Sequence, residues 1–189
     1  MGLPKALLSL ESRTLLETAV GVCRECGLWT WVVLGFEADR IRTQVALGDA
    51  RILVNPDPDL GQSSSVVCGA RAALGAGLLC VLPVDHALLE AKSLRGLLRS
   101  FDERGQGIEI VVPSDGVRRG HPALVSSAII EELASLASDR PAHDVIRRDP
   151  ARILHVFCED PAAFEDIDTP EDWQAVLARH RARPGGGSP

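Results

Sequence analysis

The stretch Arg51 to Asp85, RILVNPDPDLGQSSSVVCGARAALGAGLLCVLPVD, decides the fold class. It opens on RILVN, a short apolar, β-rich run, and stops at the turn-forming NPDPDLG. A helix beginning near Ser63 to Ser65 and running to Leu74 comes next. Residues 78–84, LLCVLPV, then read as an apolar buried strand. Strand, helix and strand in immediate succession form one turn of an α/β winding.

The pattern repeats outward in both directions. Upstream, residues 12–26 space Leu15, Leu16, Ala19, Val20 and Cys23 as one helix face, ended by Gly27. A strand over Trp29 to Gly35, WTWVVLG, and a short polar helix over Glu37 to Thr43 follow. Downstream come a helix from Leu88 to Asp102, a strand over 107–112 ended by Pro113, helices over Ala123 to Leu136 and Ala142 to Arg148, a strand over Ile153 to Cys158 and a final helix over 170–182. The expected architecture is a three-layer α/β/α sandwich on a mostly parallel sheet, a single domain over 1–183 with a frayed tail, PGGGSP, over 184–189. Ligands of such folds bind beyond the carboxyl ends of the strands.

Composition excludes several partners. The 189 residues carry a net charge of −6 without a dense basic block, and the scarce aromatics include no Tyr, so no nucleic-acid partner is expected. No apolar run approaches the roughly 20 residues that span a bilayer, and MGLPKALLSLE lacks the layout of a signal peptide. A cytoplasmic protein is expected. Five cysteines are an odd number, expected as free thiols; Cys23-x-x-Cys26 lies within a helix and has no second ligand pair, so it reads as packing rather than zinc or redox chemistry.

Four clusters fall where strands end. In Gly61-Gln62-Ser63-Ser64-Ser65, small residues at a helix start leave backbone N–H groups and hydroxyls for a base or phosphate, or simply cap the helix. Asp85 ends an apolar strand, a costly place for a charge unless it is paired or holds a ligand; the adjacent His86 reads as a cap or a solvent contact. The loop Arg118-Arg119-Gly120-His121-Pro122 offers guanidinium forks beside a glycine that permits close approach. Finally, in Asp166-Ile167-Asp168-Thr169-Pro170-Glu171-Asp172-Trp173 an extended backbone points both aspartates to one face, and Thr169 caps a helix with Pro170 in its first turn. Paired carboxylates suit a magnesium ion and its phosphate cargo.

Taken in order, MGLPKALLSLESRTLLE, NPDPDLGQSSSVVCGARAAL, LPVDHALL, VVPSDGVRRGHPAL and EDIDTPEDW resemble the MobA-like nucleotidyltransferases, most closely the molybdenum-cofactor cytidylyltransferase branch. The resemblance covers nearly the whole chain. It implies a Rossmann-like fold of the GT-A type and transfer of CMP from CTP to molybdopterin with release of pyrophosphate. Gly2, Lys5 and the Gly61 to Ser65 segment would hold the nucleotide, with Lys5 on the triphosphate. Asp85, Asp166 and Asp168 would hold Mg2+, and Arg119, Gly120, His121 and Pro122 would line the acceptor site. A molybdoenzyme or its chaperone is the implied protein partner.

Departures accompany the likeness. The family's opening strand and LAAGxSxR loop precede its MG, whereas this sequence starts at that MG, which raises the expectation of a longer product begun upstream. Without that strand its sheet neighbours would expose unpaired backbone groups. The family's DxP reads Asp85-His86-Ala87 here, and its GAR-type segment reads Pro141-Ala142-His143. Two other readings therefore stand beside the first: a degenerate relative that binds a nucleotide, cofactor or protein without catalysis, and a transferase of the same fold acting on a sugar or alcohol phosphate.

Overall fold

The computed structural model describes residues 3–137 and 139–182; Gly2 and the 184–189 tail lie outside the described residues. Near the start, β1 (Ser9–Leu10) and β2 (Arg13–Thr14) form a small antiparallel hairpin that the sequence pattern did not announce. It delivers Thr14 to the N-cap of α1 (Leu15–Glu25), where a reciprocal capping box forms: Glu17 N–H donates to Thr14 Oγ1 at 3.2 Å, and Thr14 N–H donates to Glu17 Oε2 at 2.8 Å. The face buried by α1 is the predicted one, Leu15, Leu16, Ala19, Val20 and Cys23.

The βα units follow as β3 (Trp31–Leu34), α2 (Ala38–Arg42), β4 (Arg51–Val54), α3 (Gln62–Ala72), β5 (Leu78–Val81) and α4 (Ala91–Asp102). Next are β6 (Ile110–Ser114), β7 (Ala123–Ser126), α5 (Ser127–Ala134), α6 (Ala142–Arg147), β8 (Ile153–Phe157) and α7 (Pro170–Ala182). Expected elements recur with ends trimmed by a few residues, with two corrections. Residues 123–126 are a strand and not the first turn of a helix. Leu124 and Val125 are both fully buried, one toward each helical layer, and a short apolar run of this kind carries no periodicity that separates strand from helix. β7 runs antiparallel to both β5 and β6, so β5, β6 and β8 share one direction and β7 alone is reversed, a mixed sheet with mostly parallel strands in which β3–β4 and β6–β8 are parallel pairs. Pro113 also continues β6 opposite Val156 instead of ending it.

Alternation along the strands builds the three layers. Ile110, Val112, Val125 and Leu79 pack with Ala70 of α3 and Ala73 at its C-cap, Ile129, Ile130 and Leu133 of α5, and Val145 of α6. Val111, Leu124, Leu78 and Cys80 face the other way, onto Cys23 of α1 and Leu94, Leu97 and Phe101 of α4. Burying an aliphatic or aromatic side chain of this size is worth about 1.5–3 kcal/mol, so these two layers dominate the stability.

The strands do not close into one sheet. β3 and β4 form a two-stranded piece, while β5, β7, β6 and β8 form a separate four-stranded one. Among the described residues no backbone hydrogen bond joins β3 to β5. β3 and β5 each have one hydrogen-bonded strand neighbour among the described residues.

Candidate active site

Beyond the carboxyl end of β5 the chain turns through a single 3-10 turn, Val84–His86, which sets Asp85 and His86 on adjacent positions. A matching turn at Lys5–Leu7 brings Lys5 alongside. Lys5 Nζ stands 3.7 Å from Asp85 Oδ2 and 2.5 Å from Asp168 Oδ1. Partial burial works against the Lys5 charge, but the hydrogen bond to Asp168 and the fields of Asp85, Asp168 and Asp166 outweigh it and raise its pKa above the ordinary lysine value.

Burial alternates along the acidic tail, exposed at Asp166, buried at Ile167 and exposed at Asp168. Ile167 is buried among Leu15, Ala19 and Trp173, while Asp166 and Asp168 turn outward to the site. They take different partners. Asp168 meets Lys5, whereas Asp166 Oδ1 lies 2.9 Å from Nε2 of His86. Thr169 then caps α7 with Asp172 as its reciprocal partner: Asp172 N–H donates to Thr169 Oγ1 at 3.1 Å and Thr169 N–H to Asp172 Oδ2 at 2.8 Å.

His86 is the residue that sequence reasoning set aside and the structure makes central. Its ring is 3% exposed, too buried for a solvent contact. Nδ1 lies 3.0 Å from the carbonyl of Ala162 while Nε2 faces Asp166. Both ring nitrogens thus meet oxygen atoms. The only sequence signal was its place directly after a strand-end aspartate.

The Arg118 to Pro122 loop divides. Gly120 is buried with its N–H on Pro113 O, and a Cβ there would lie 2.2 Å from Ala163 O, so no side chain fits. A cis His121–Pro122 bond follows. His121 N–H donates to Ala163 O at 2.8 Å, and the His121 ring tilts against His86 with centroids 4.6 Å apart. Burial, then the neighbouring His86, push His121 below the usual histidine range, against the opposing fields of Asp85 and Asp166. Arg118 is drawn to Asp115 at 2.8 Å, and Arg119 is exposed.

A second unforeseen residue, Asp160, organises the turn that these groups lean on. Its buried carboxylate accepts from Glu90 N–H and Ser93 Oγ at the start of α4 and from Ala162 N–H. That fixes the carbonyls of Ala162 and Ala163 where His86 and His121 reach them.

The Gly61 to Ser65 segment is largely committed to the fold. Gly61 takes φ 81°, and Ser64, buried, bonds Asn55 Nδ2 at 2.7 Å. Ser65 also accepts from Asn55, and Ser63 accepts from the Ala142 N–H. Gly61 and Gln62 stay exposed at the start of α3.

Among the described residues no group of three or more His, Cys, Asp and Glu converges on one ion position. Two side-chain atoms in the cluster are buried without a hydrogen-bond partner, Asp85 Oδ1 and His121 Nδ1, and such atoms call for a ligand or water. Asp85 and Asp168 converge on one cation, the Lys5 ammonium. Magnesium is ordinarily held by one or two carboxylates with waters and substrate phosphates, so this donor set suits it without a protein cage. The cysteines lie apart from this site as free thiols; burial pushes the Cys23 thiol up to about 11.

A two-faced α/β sandwich with its polar cluster at the strand ends has the site layout common to ligand-binding α/β folds. The chain belongs to the MobA-like NTP transferase domain family, whose model matches residues 1–153. It is 32% identical to nicotine blue oxidoreductase of Paenarthrobacter nicotinovorans over 92% of this chain and 88% of that protein. It is 28% identical to molybdenum cofactor guanylyltransferase of Xanthomonas euvesicatoria pv. vesicatoria (strain 85-10), over 94% of this chain and 87% of that one. Among solved structures, the Rv0371c protein of Mycobacterium tuberculosis H37Rv in complex with manganese superposes with a TM-score of 0.70 at 26% identity, covering 93% of this chain and 91% of that one. These relatives establish the family and the fold, a coarser result than the cytidylyltransferase branch expected from the motifs. No helix among the described residues is long and apolar enough to cross a membrane.

Proposed function

We propose that this chain transfers a nucleoside monophosphate from a nucleoside triphosphate, CTP in the first instance, to the terminal phosphate of a molybdopterin-type acceptor. An acceptor phosphate oxygen attacks the α-phosphorus in line, a new P–O–P bond forms, and pyrophosphate leaves. The observation that carries this reading is Lys5 shared between Asp85 and Asp168 at the strand ends, with the second Asp85 oxygen buried and unpartnered.

The chemistry needs positioning and charge neutralisation more than proton transfer. Lys5 neutralises triphosphate charge. Asp85 and Asp168 would hold Mg2+, with Asp166 as a third carboxylate steadied by His86. Bound there, the ion would supply electrostatic stabilisation of the phosphates. Gly61 and Gln62 would meet the nucleotide through backbone N–H groups at the α3 start. Gly120 keeps the loop tight enough for His121 to enter the site, and Arg119, His121 and Pro122 would face the acceptor.

Pyrophosphate release from CTP with molybdopterin and magnesium tests this, with GTP run alongside because one relative is a guanylyltransferase. Release that depends on magnesium and disappears in Asp85→Asn supports the reading. Tight nucleotide binding without release would favour the non-catalytic relative. A second reading has a specific basis, the 32% identity to nicotine blue oxidoreductase. A change in nicotine blue absorbance on incubation with the chain and an added two-electron reductant, absent without that reductant and accompanied by no pyrophosphate release, would favour it.

A further inference from the structure

Strand β8 ends the four-stranded piece, with β6 as its one hydrogen-bonded neighbour. Along a strand, the N–H and C=O of one residue point to one side and those of the next residue to the other. Cys158, just past β8, donates its N–H to Ser114 O of β6 at 3.0 Å. Leu154 and Val156 therefore turn their backbones inward with Cys158, and Ile153, His155 and Phe157 turn theirs outward. The Ile153 N–H is already given to Pro150 O. His155 and Phe157 carry the free N–H groups of this edge, and among the described residues no backbone group pairs with them there. The side chains of both are exposed, Phe157 to 71%. On the opposite face Val156 and Cys158, with Gly96 and Leu97 of α4, line an open groove of about 550 Å³. Charge separates along the edge. Arg147, Arg148 and Arg152 outnumber Asp149 and Glu132 at the entry of β8, while Glu159 and Asp160 stand at its exit.

We propose that a second copy of this chain docks on β8, the two β8 strands joining antiparallel about a two-fold axis at Val156 to extend the sheet across both copies. The free backbone groups set this register. An axis at Val156 places His155 opposite Phe157 of the second copy, and Phe157 opposite His155 of that copy. Each such pair exchanges both of its N–H···O=C bonds, so every outward group of the two residues is used. An axis at His155 would instead call on the Ile153 N–H, which Pro150 O already holds. The side chains agree with the same axis. On one face each Phe157 ring meets an imidazole across the junction; on the other Val156 meets its own counterpart and Leu154 meets Cys158. Charge selects a second copy over an unrelated strand. Antiparallel joining sets the acidic exit of each β8 beside the basic entry of the other, so the attraction occurs twice, once at each end of the junction. A parallel joining would bring like ends together. The interface makes no use of Lys5, Asp85 or Asp168 and does not depend on the reaction proposed above.

Sedimentation velocity of the full chain, loaded in steps up to about 1 mM so that weak association also registers, tests the interface. The parent should reach a dimer. Phe157→Lys sets a charge against His155 of the second copy and should stay monomeric over the same range. His155→Pro removes one outward N–H from each copy at a position where an edge strand tolerates proline, and should weaken the dimer by about ten- to a hundredfold. Val54→Lys is the control: Val54 is 53% exposed on β4, in the other sheet piece, and this variant should dimerise like the parent. Circular dichroism and the urea midpoint check that each variant is folded; should His155→Pro unfold, Phe157→Lys decides. A parent that stays monomeric throughout, a dimer that persists undiminished in Phe157→Lys, or a dimer lost equally in Val54→Lys would overturn the proposal.

Discussion

Lys5 Nζ lies 2.5 Å from Asp168 Oδ1, although 163 positions separate the two residues in the chain. The contact joins the first described turn to the last loop before α7, and Asp85 completes the group from the centre of the sequence. A site assembled from both ends of a chain exists only in the folded state. Its charges are also mutually dependent: three carboxylates surround one ammonium, and removal of any member changes the field at the others.

Asp85→Asn and Asp168→Asn should each cut magnesium-dependent pyrophosphate release by about 10²-fold or more, the scale seen when one electrostatic partner of a developing charge is removed. Circular dichroism and the urea midpoint should stay close to those of the parent chain, since neither carboxylate packs in the core. Normal turnover in either variant would remove that residue from the metal site.

Lys5→Ala should weaken binding of the triphosphate, measured by calorimetry, while leaving the fold intact. The pairs it makes are partly exposed, so the stability cost should stay within about 1 kcal/mol. The sign with pH follows from its raised pKa. The Lys5 contribution to stability is fully present below the unfolded lysine value of 10.5 and is lost as pH rises through the higher folded value. Unchanged nucleotide affinity would remove Lys5 from the triphosphate site.

Gly120→Ala should destabilise the protein by about 1–3 kcal/mol in urea unfolding, because the added methyl would displace the Ala163 carbonyl that receives His121 N–H. Equal stability of the variant would mean that the 161–164 turn yields freely, and His121 would then lose its fixed place.

Hydrogen bonds from Thr169, first from its hydroxyl and then from its N–H, hold Asp172 below the ordinary carboxylate value of 3.8. A depressed folded pKa means that its stabilising contribution is present above the unfolded value and lost as pH falls through the folded one. Asp172→Asn should therefore be less stable than the parent at neutral pH and should converge with it as pH falls below the unfolded value of 3.8 and through the lower folded one, by chemical denaturation across that window. A constant gap down to low pH would show that the cap works without its charge.

Cys23→Ser should leave turnover and metal content unchanged, because Cys23 is buried against Leu94 and Leu97 with its thiol pushed up to about 11. Zinc that co-purifies with the parent and vanishes in the variant would overturn that reading.

Much of this protein is written locally. Hydrophobic spacing at Leu15, Leu16, Ala19, Val20 and Cys23 specifies α1, and the short apolar runs specify β3 through β6, because alternation and helical period are properties of neighbouring residues. Local chemistry also marked Asp85, because a charge that ends an apolar strand is conspicuous without any coordinates, and Asp166 and Asp168, because alternation puts two carboxylates on one face. The antiparallel β7 was not legible, since it is buried on both faces, Leu124 toward one helical layer and Val125 toward the other, and so carries no polar alternation. Nor was the division of labour between the two tail aspartates, one on Lys5 and one on His86. His86 itself looked ordinary beside Asp85 until the turn at Ala162 reached it from 76 residues away. Pairing and burial of a polar ring depend on which distant segments meet, and only the packed chain decides that.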